Sequence, residues 1–407
     1  MGALSHIRVL DLSRILAGPW AGQVLADLGA DVIKIERPGS GDDTRHWGPP
    51  YLNDAEGNPT DLSAYFLSVN RGKKSVAIDI TSPAGQDIIR RLAVTCDVVI
   101  ENFKVGGLKK YGLDYEGLKA VNPALVYCSI TGFGQDGPYA HRAGYDFMIQ
   151  AMGGLMSITG EPDGTPGGGP EKVGVAVADV FTGLYSVIAI QAALSHRDRT
   201  GEGQHIDMAL LDTQVSVLAN QSLNYLVSGN APTRMGNAHP NIVPYQAFQT
   251  KDGHMILAIG NDNQFSKFCA VAARAELAND ERFTTNPARV ANRDALVPIV
   301  QEMLLLRTTD DWLQALEGEH VPCGPINTID QVFADPQVIH RGMQLDLNHP
   351  TVGATPGVAS PIKMSATPPS CDAPPPTLGQ HTTSVLAELL DIGLDELNVL
   401  KSNGTIG

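Results

Sequence analysis

Charge is scarce in this sequence, and what there is leans acidic. Charged residues make up 18% of the chain and the formal net charge is −15. No polybasic run breaks that balance, which excludes a general nucleic-acid binder. An anionic ligand must instead be held by local lysines and arginines. The five cysteines, Cys96, Cys128, Cys269, Cys323 and Cys371, stand far apart with no C-x-x-C spacing. That excludes a disulfide framework and a zinc site, and the expectation is reduced thiols and no bound metal. No signal peptide opens the chain, and no uninterrupted apolar run reaches the roughly 18 residues of a bilayer crossing. A cytoplasmic protein without a membrane partner is expected. P-loop, G-x-S-x-G and H-E-x-x-H motifs are absent as well. The turn "SRILAGPWAG" lacks the G-x-G-x-x-G spacing that lets backbone approach a dinucleotide pyrophosphate.

What is present is an alternation of apolar strands and helices. At 407 residues, 43% of them hydrophobic, the chain has material for about two or three domains. "IRVLDL" (7–12), "DVIKIE" (31–36), "SVAIDI" (75–80), "DVVIEN" (97–102) and "LVYCSIT" (125–131) read as buried strands. Helical spacing lies between them. Pro19 and Gly29 bracket the first helix, and Ser82-Pro83 caps the next. Buried strands separated by helices predict an α/β fold with a doubly wound parallel sheet. Helical signal fills 145–195, and a strand then leads into a long helix reaching about residue 226. A different texture starts near Gly229, with a hairpin at Asp252-Gly253 and then helices, which predicts a smaller α+β domain. The expected division is 1–205 for the first part of the large domain, 206–228 as a linker helix, 229–328 for the small domain, and 329–407 as a C-terminal segment. Residues 368–380, rich in proline, read as a covering strap.

One stretch does not fit a core element. "GVAVADVFTGLYSVIAI" (174–190) is apolar except for Asp179 and the phenol of Tyr185. Asp179 precedes a helical run, so it reads as a helix N-cap. A carboxylate at a helix N-terminus is stabilised as the anion, and apolar neighbours strip its water. Cap and nucleophile are compatible readings.

Several blocks in order resemble the class III CoA-transferase family, which also includes acyl-CoA racemases. They are "DLSRILAGPWAGQVLADLGADVIKIERPGSGDDTR", "LSVNRGKKSVAIDI", "VVIENFKVGGLKKYGL", "YCSITGFGQDGPYAHRAGYD", "VADVFTGLYS", "RTGEGQHIDMALLD", "CGPIN" and "LGQHT". "GDDTRHWGPP", "NIVPYQAFQTKDG" and "HPTVG" resemble the branch that moves CoA between dicarboxylic acids such as succinate and glutarate. The resemblance implies an interlocked, ring-like homodimer whose C-terminal segment returns to the large domain. It also implies acyl-CoA and carboxylic acid substrates, with coenzyme A entering as part of the substrate and no cofactor tightly bound. The implied nucleophile is Asp179. It must be a carboxylate, because only a carboxylate gives an anhydride with an acyl group.

By the same resemblance, Ala17 and Gly18 approach the CoA through backbone, Ile78 and Asp79 belong to the adenine-side loop, and Asn102, Phe103 and Lys104 to the next strand end. Lys110 is placed for a phosphate, and Tyr145 borders the same site. The family's basic residues at two further positions are Pro38 and Ala143 here. Arg37, Arg142 or the Lys73-Lys74 pair would compensate. Arg14, Arg45 and Arg142 are candidates for the remote carboxylate of a dicarboxylic acid, since arginine offers a bidentate fit. The glycine-rich lid of the family corresponds to "MGNAHPN", with Gly236 as its one glycine and Asn237 and His239 as possible donors. The alternative activity is racemase-type proton transfer, which takes an acid/base pair. Racemases of this family carry His-Asp where this chain has Tyr145-Asp146, which favours transfer.

Overall fold

The computed structural model describes residues 2–54 and 56–407. Met1 and Ala55, both within the expected large domain, lie outside the described residues. The chain divides into two compact units. One comprises Met1–Leu155, Val173–Leu223 and Pro336–Gly407; the other comprises Met156–Lys172 and Asn224–Asp335.

The first unit is built on six parallel strands: β1 (Arg8–Asp11), β2 (Asp31–Glu36), β3 (Lys73–Ala77), β4 (Val98–Glu101), β5 (Val126–Thr131) and β6 (His205–Ala209). Their order is β3-β2-β1-β4-β5-β6. It reverses between β1 and β4, and in such sheets ligands bind at that reversal, outside the carboxyl ends of the strands. Both faces of the inner strands are covered, so these read as apolar runs, whereas the edge strand β6 alternates with His205 and Asp207 exposed. On one face Leu10, Ile33, Val76 and Val99 pack against Ile88, Ile89 and Leu92 of a helix at Pro83–Val94, and against Leu386 and Leu397 near the C-terminus. On the other, Val9, Val32, Val98 and Cys128 pack against helix α1 (Ala17–Asp27) and a later helix at Val177–Thr200.

That later helix departs from expectation twice. Its 24 residues are long and apolar enough, by length and composition, to cross a membrane, although no uninterrupted apolar run in the sequence is. Here Ala178, Ile190 and Leu194 are buried against the sheet. Nor does the helical signal run unbroken from 145. Helix α2 (Asp146–Met152) and a turn at Leu155–Ile158 are followed by a glycine-rich loop, and only then does α3 (Val177–Thr200) begin.

Other boundaries also moved. The third strand ends at Ala77, because Ile78 leaves the sheet to pair with Ile406. The expected helix after β6 is two helices, Leu210–Ser216 and Asn220–Ser228, interrupted where Ala219 turns to φ 49. A second C-terminal helix, Leu394–Ser402, and two hairpins (Tyr51–Asn53 with Pro59–Ser63; Gln344–His349 with Gly353–Val358) were not anticipated. The proline-rich segment does lie across the sheet unit: Ser370 N–H donates to Asp27 O, Gly72 N–H to Ala373 O, and Gly379 N–H to Ser75 Oγ.

The second unit carries an antiparallel sheet of β7 (Tyr245–Gln249), β8 (His254–Ala258) and β9 (Cys323–Pro325), with the turn at Asp252-Gly253. Phe248, Phe265, Phe268 and Trp312 fill its core.

Candidate active site

The loops after β1 to β5 converge on a cavity of about 510 Å³ in the first unit. Leu12 to Ala17 follow β1, Arg37 follows β2, Ile78 to Thr81 follow β3, and Asn102 to Lys104 follow β4. Thr131 at the end of β5 and Gly132 after it close the ring, and Asp179 projects into it from α3. The cavity therefore sits where the strand order reverses.

Most expected residues meet there. Arg14, Ala17, Arg37, Ile78, Asp79, Asn102, Phe103, Lys104, Lys110, Arg142, Tyr145 and Asp179 all line this one cavity. Arg37, Lys104 and Lys110 are exposed at its rim. Gly18 does not line it. It is buried in the first turn of α1, where a Cβ would sit 2.3 Å from the Ser13 side chain. Arg45 does not line it either. Its guanidinium is buried, makes two 2.8 Å bonds to Glu36, donates to Pro376 O and lies 3.7 Å above the Phe66 ring. Its role here is structural. Arg14 pairs with Asp43 at 2.6 Å. Arg142 has no ion pair among the described residues and stacks on Phe133 and Tyr139. Neither Lys73 nor Lys74 lines the cavity. Lys73 is buried on Asp11, Asn70 and Pro19 O, and burial pulls its amine down to about 8; Lys74 pairs with Asp31.

Gly236, Asn237 and His239 belong to the second unit. Gly236, at φ 57, donates its N–H to Gly160 O, and a Cβ there would meet the Glu161 carboxylate at 2.9 Å. His239 Nδ1 accepts from Asn241 N–H, so the proton of the neutral ring sits on Nε2. Burial first, and then the charge of Arg293, lower its pKa.

Asp179 is the third residue of α3 rather than its cap, and Ala176 before the helix offers no capping side chain. The cap comes from elsewhere. Asp146 Oδ1, at the start of α2, accepts from Ala178 N–H at 2.8 Å and from Asp179 N–H at 3.4 Å. Gln150, one turn along α2, donates to Asp146 Oδ2 and accepts from Val173 N–H. Two residues on one face of α2 thus fix the strand of chain that delivers Asp179. Sequence reasoning saw Asp146 only as a family discriminator, because a cap supplied through space leaves no local pattern.

The expectation that the helix terminus keeps Asp179 anionic is reversed. Burial first, and then the negative charge of Asp146, push its carboxyl up to about 7. Its side chain has no hydrogen-bond or ion-pair partner among the described residues. The other three carboxylates lining the cavity are partnered: Glu36 by Arg45, Asp42 by Lys34, Asp79 by Thr81. Tyr65, also missed, has its phenol pushed up to about 12 by burial and by Asp179, Asp146 and Asp42, so it stays protonated beside these acids.

The description CoA-transferase family III matches residues 4–382. A succinate–glutarate CoA-transferase of Agrobacterium fabrum is 57% identical over 95% of both chains. The succinyl-CoA:glutarate CoA-transferase of Homo sapiens is 46% identical over 99% of this chain and 90% of the relative. Among solved structures, a CaiB/BaiF family protein from Brucella suis is 57% identical with a TM-score of 0.84, covering 95% of this chain and 99% of its own. A protein from Mycobacterium tuberculosis is 31% identical with a TM-score of 0.80, covering 94% of this chain and 98% of its own. This chain belongs to CoA-transferase family III and is an enzyme of CoA transfer.

Proposed function

We propose that this enzyme moves CoA from succinyl-CoA to a dicarboxylic acid, glutarate first among them, through Asp179. The observation that carries the reading is that Asp179 alone, of the four carboxylates lining the cavity, has no partner among the described residues. The names and identities of the Agrobacterium and human relatives support the substrate pair.

A thioester-for-thioester exchange is close to thermoneutral, so the task is to hold the acyl group away from water. A carboxylate oxygen of Asp179 attacks the succinyl thioester carbonyl. CoA leaves as thiolate and a mixed anhydride forms. The thiolate then attacks the Asp179 carbonyl, releasing succinate and leaving an aspartyl-CoA thioester. The glutarate carboxylate attacks that thioester, releasing thiolate and forming a second anhydride. Attack of the thiolate on the glutaryl carbonyl gives glutaryl-CoA and restores Asp179. The half-buried setting that raises the pKa of Asp179 also limits water at each anhydride.

Arg37, Lys104 and Lys110 at the rim suit the phosphates of CoA. Arg142, which like Arg37 lines the cavity without an ion pair among the described residues but is held over Phe133 and Tyr139, suits the remote carboxylate. We also infer an interlocked homodimer. The α3 side chains Phe181, Leu184, Tyr185 and Ile188 are exposed on one stripe, which supports a partner there. The functional reading is tested by incubating the protein with succinyl-CoA and glutarate and measuring glutaryl-CoA by mass spectrometry. Transfer lost in Asp179→Ala is the expected result; transfer at the wild-type rate in that variant rejects it. Arg142→Gln is expected to raise the KM for glutarate about tenfold or more, the scale of a lost charged hydrogen bond, with the donor's KM changed much less.

A further inference from the structure

The segment Ser13–Ile15, between β1 and α1, is held in an unusual way. Each backbone polar group from Ser13 N–H to Ile15 N–H is bonded by a side chain from another position in the unit. Ser13 N–H donates to Asp11 Oδ1 at 3.0 Å. Ser13 O accepts from Lys34 Nζ at 2.9 Å. Asn102 takes both groups of Arg14, its Oδ1 accepting from the N–H at 2.9 Å and its Nδ2 donating to the carbonyl at 2.6 Å. Ile15 N–H donates to both carboxylate oxygens of Asp42 at 3.3 Å.

Ile15 itself has φ 72. A β-branched side chain in the left-handed region is strained, and such a conformation persists only where the surroundings over-determine it. Asp42 supplies that determination. It is 1% exposed and is bonded by Lys34 Nζ at 2.8 Å and by the N–H and hydroxyl of Thr44. Lys34, fully buried in the centre of β2, thereby ties Asp42 to Ser13 O. Burial opposes the charge on Asp42, but Lys34 and Thr44 outweigh it and hold its carboxyl down to about 2.

Ile15, Leu16 and Ala17, the residues this clamp delivers, line the same cavity as Asp179. They also meet the nucleophile's helix. At Gly183, one turn beyond Asp179, a Cβ would lie 2.6 Å from Ala17 O.

We propose that Asp42, backed by Lys34, is a positioning residue for CoA transfer: it holds Ile15 in its left-handed backbone conformation and so fixes the Ile15–Ala17 wall of the cavity against the helix of Asp179. The proposal rests on the reading that transfer runs in this cavity.

The test exploits glycine, which occupies φ near 70° without strain. Asp42→Asn, Ile15→Gly and the double variant are compared with wild type for kcat, KM and thermal midpoint. Asp42→Asn is expected to lower kcat at least tenfold with a smaller change in the KM for succinyl-CoA. The double variant is expected to recover most of that loss relative to Ile15→Gly alone, because glycine at 15 no longer needs the clamp. Equal kcat in Asp42→Asn and wild type overturns the proposal. So does a folded double variant that falls as far below Ile15→Gly as Asp42→Asn falls below wild type. If Asp42→Asn does not fold, Asp42→Ser, which leaves room for water beside Lys34, is read in the same way. Failure of both to fold even with Gly at 15 assigns Asp42 to folding alone and also overturns it. A wild-type protein that exchanges no CoA defeats the functional reading instead, and with it the purpose of the clamp.

Discussion

At Asp179 two environmental effects act in the same direction. Burial disfavours the anion, and Asp146 adds a like charge beside it. A nucleophile must be deprotonated, yet a carboxylate of raised pKa is also the more basic and more nucleophilic one. With the carboxyl at about 7, kcat/KM should rise with pH through the neutral range and level off above it. Asp146→Asn removes the negative charge while keeping an oxygen able to accept from Ala178 N–H. The charge of Asp146 raises the Asp179 pKa, so its removal must lower it. The acidic limb of the profile should move to lower pH in that variant. An unchanged or upward-moved limb would show that Asp146 does not act on Asp179 through its charge.

Between elements, contact distances decide what the sequence permits. Helices α1 and α3 approach closely at Gly183, where an added Cβ would lie 2.6 Å from Ala17 O and about as near the Trp20 side chain as a contact allows, at 3.1 Å. Backbone cannot retreat as a side-chain tip can. Gly183→Ala should therefore lose about 1–3 kcal/mol of stability by overpacking, measurable as a lower denaturation midpoint. A midpoint equal to wild type would show that α3 can shift freely. The inner strands of the parallel sheet were legible in the sequence because both of their faces are buried and their apolar runs are continuous. Asp179, the proposed nucleophile, stood out as a lone carboxylate in such a run. What could not be read was any device joining residues far apart in the chain. The cap from Asp146 to the start of α3 spans 32 positions, and the bond from Asn102 to Arg14 spans 88. Lys34 in "DVIKIE" was in plain view as a charge inside a buried strand, but its partner Asp42 lies in a loop with no periodicity to point from. Arg45 shows the reverse error: a motif arginine looked like a ligand for substrate and is instead consumed by Glu36.

Across the whole molecule, the exposed stripe on α3 bears on assembly. Ile188 is 62% exposed and Phe181, Leu184 and Tyr185 are exposed with it. Helices of monomeric proteins seldom show such a stripe to water. Light scattering during size-exclusion chromatography should return twice the mass of the 43.2 kDa chain; a monomer mass at micromolar concentration would contradict the dimer. The central claim concerns one atom, the side-chain carbonyl carbon of Asp179, as the place where CoA rests between donor and acceptor. Its most direct test is to mix the enzyme with succinyl-CoA in the absence of any acceptor, quench in acid, digest, and weigh the peptide that carries Asp179. The prediction is a CoA adduct on that peptide, discharged by glutarate and absent from Asp179→Ala. Rapid transfer to glutarate with no adduct on that peptide, or an adduct on a different carboxylate, would contradict the mechanism.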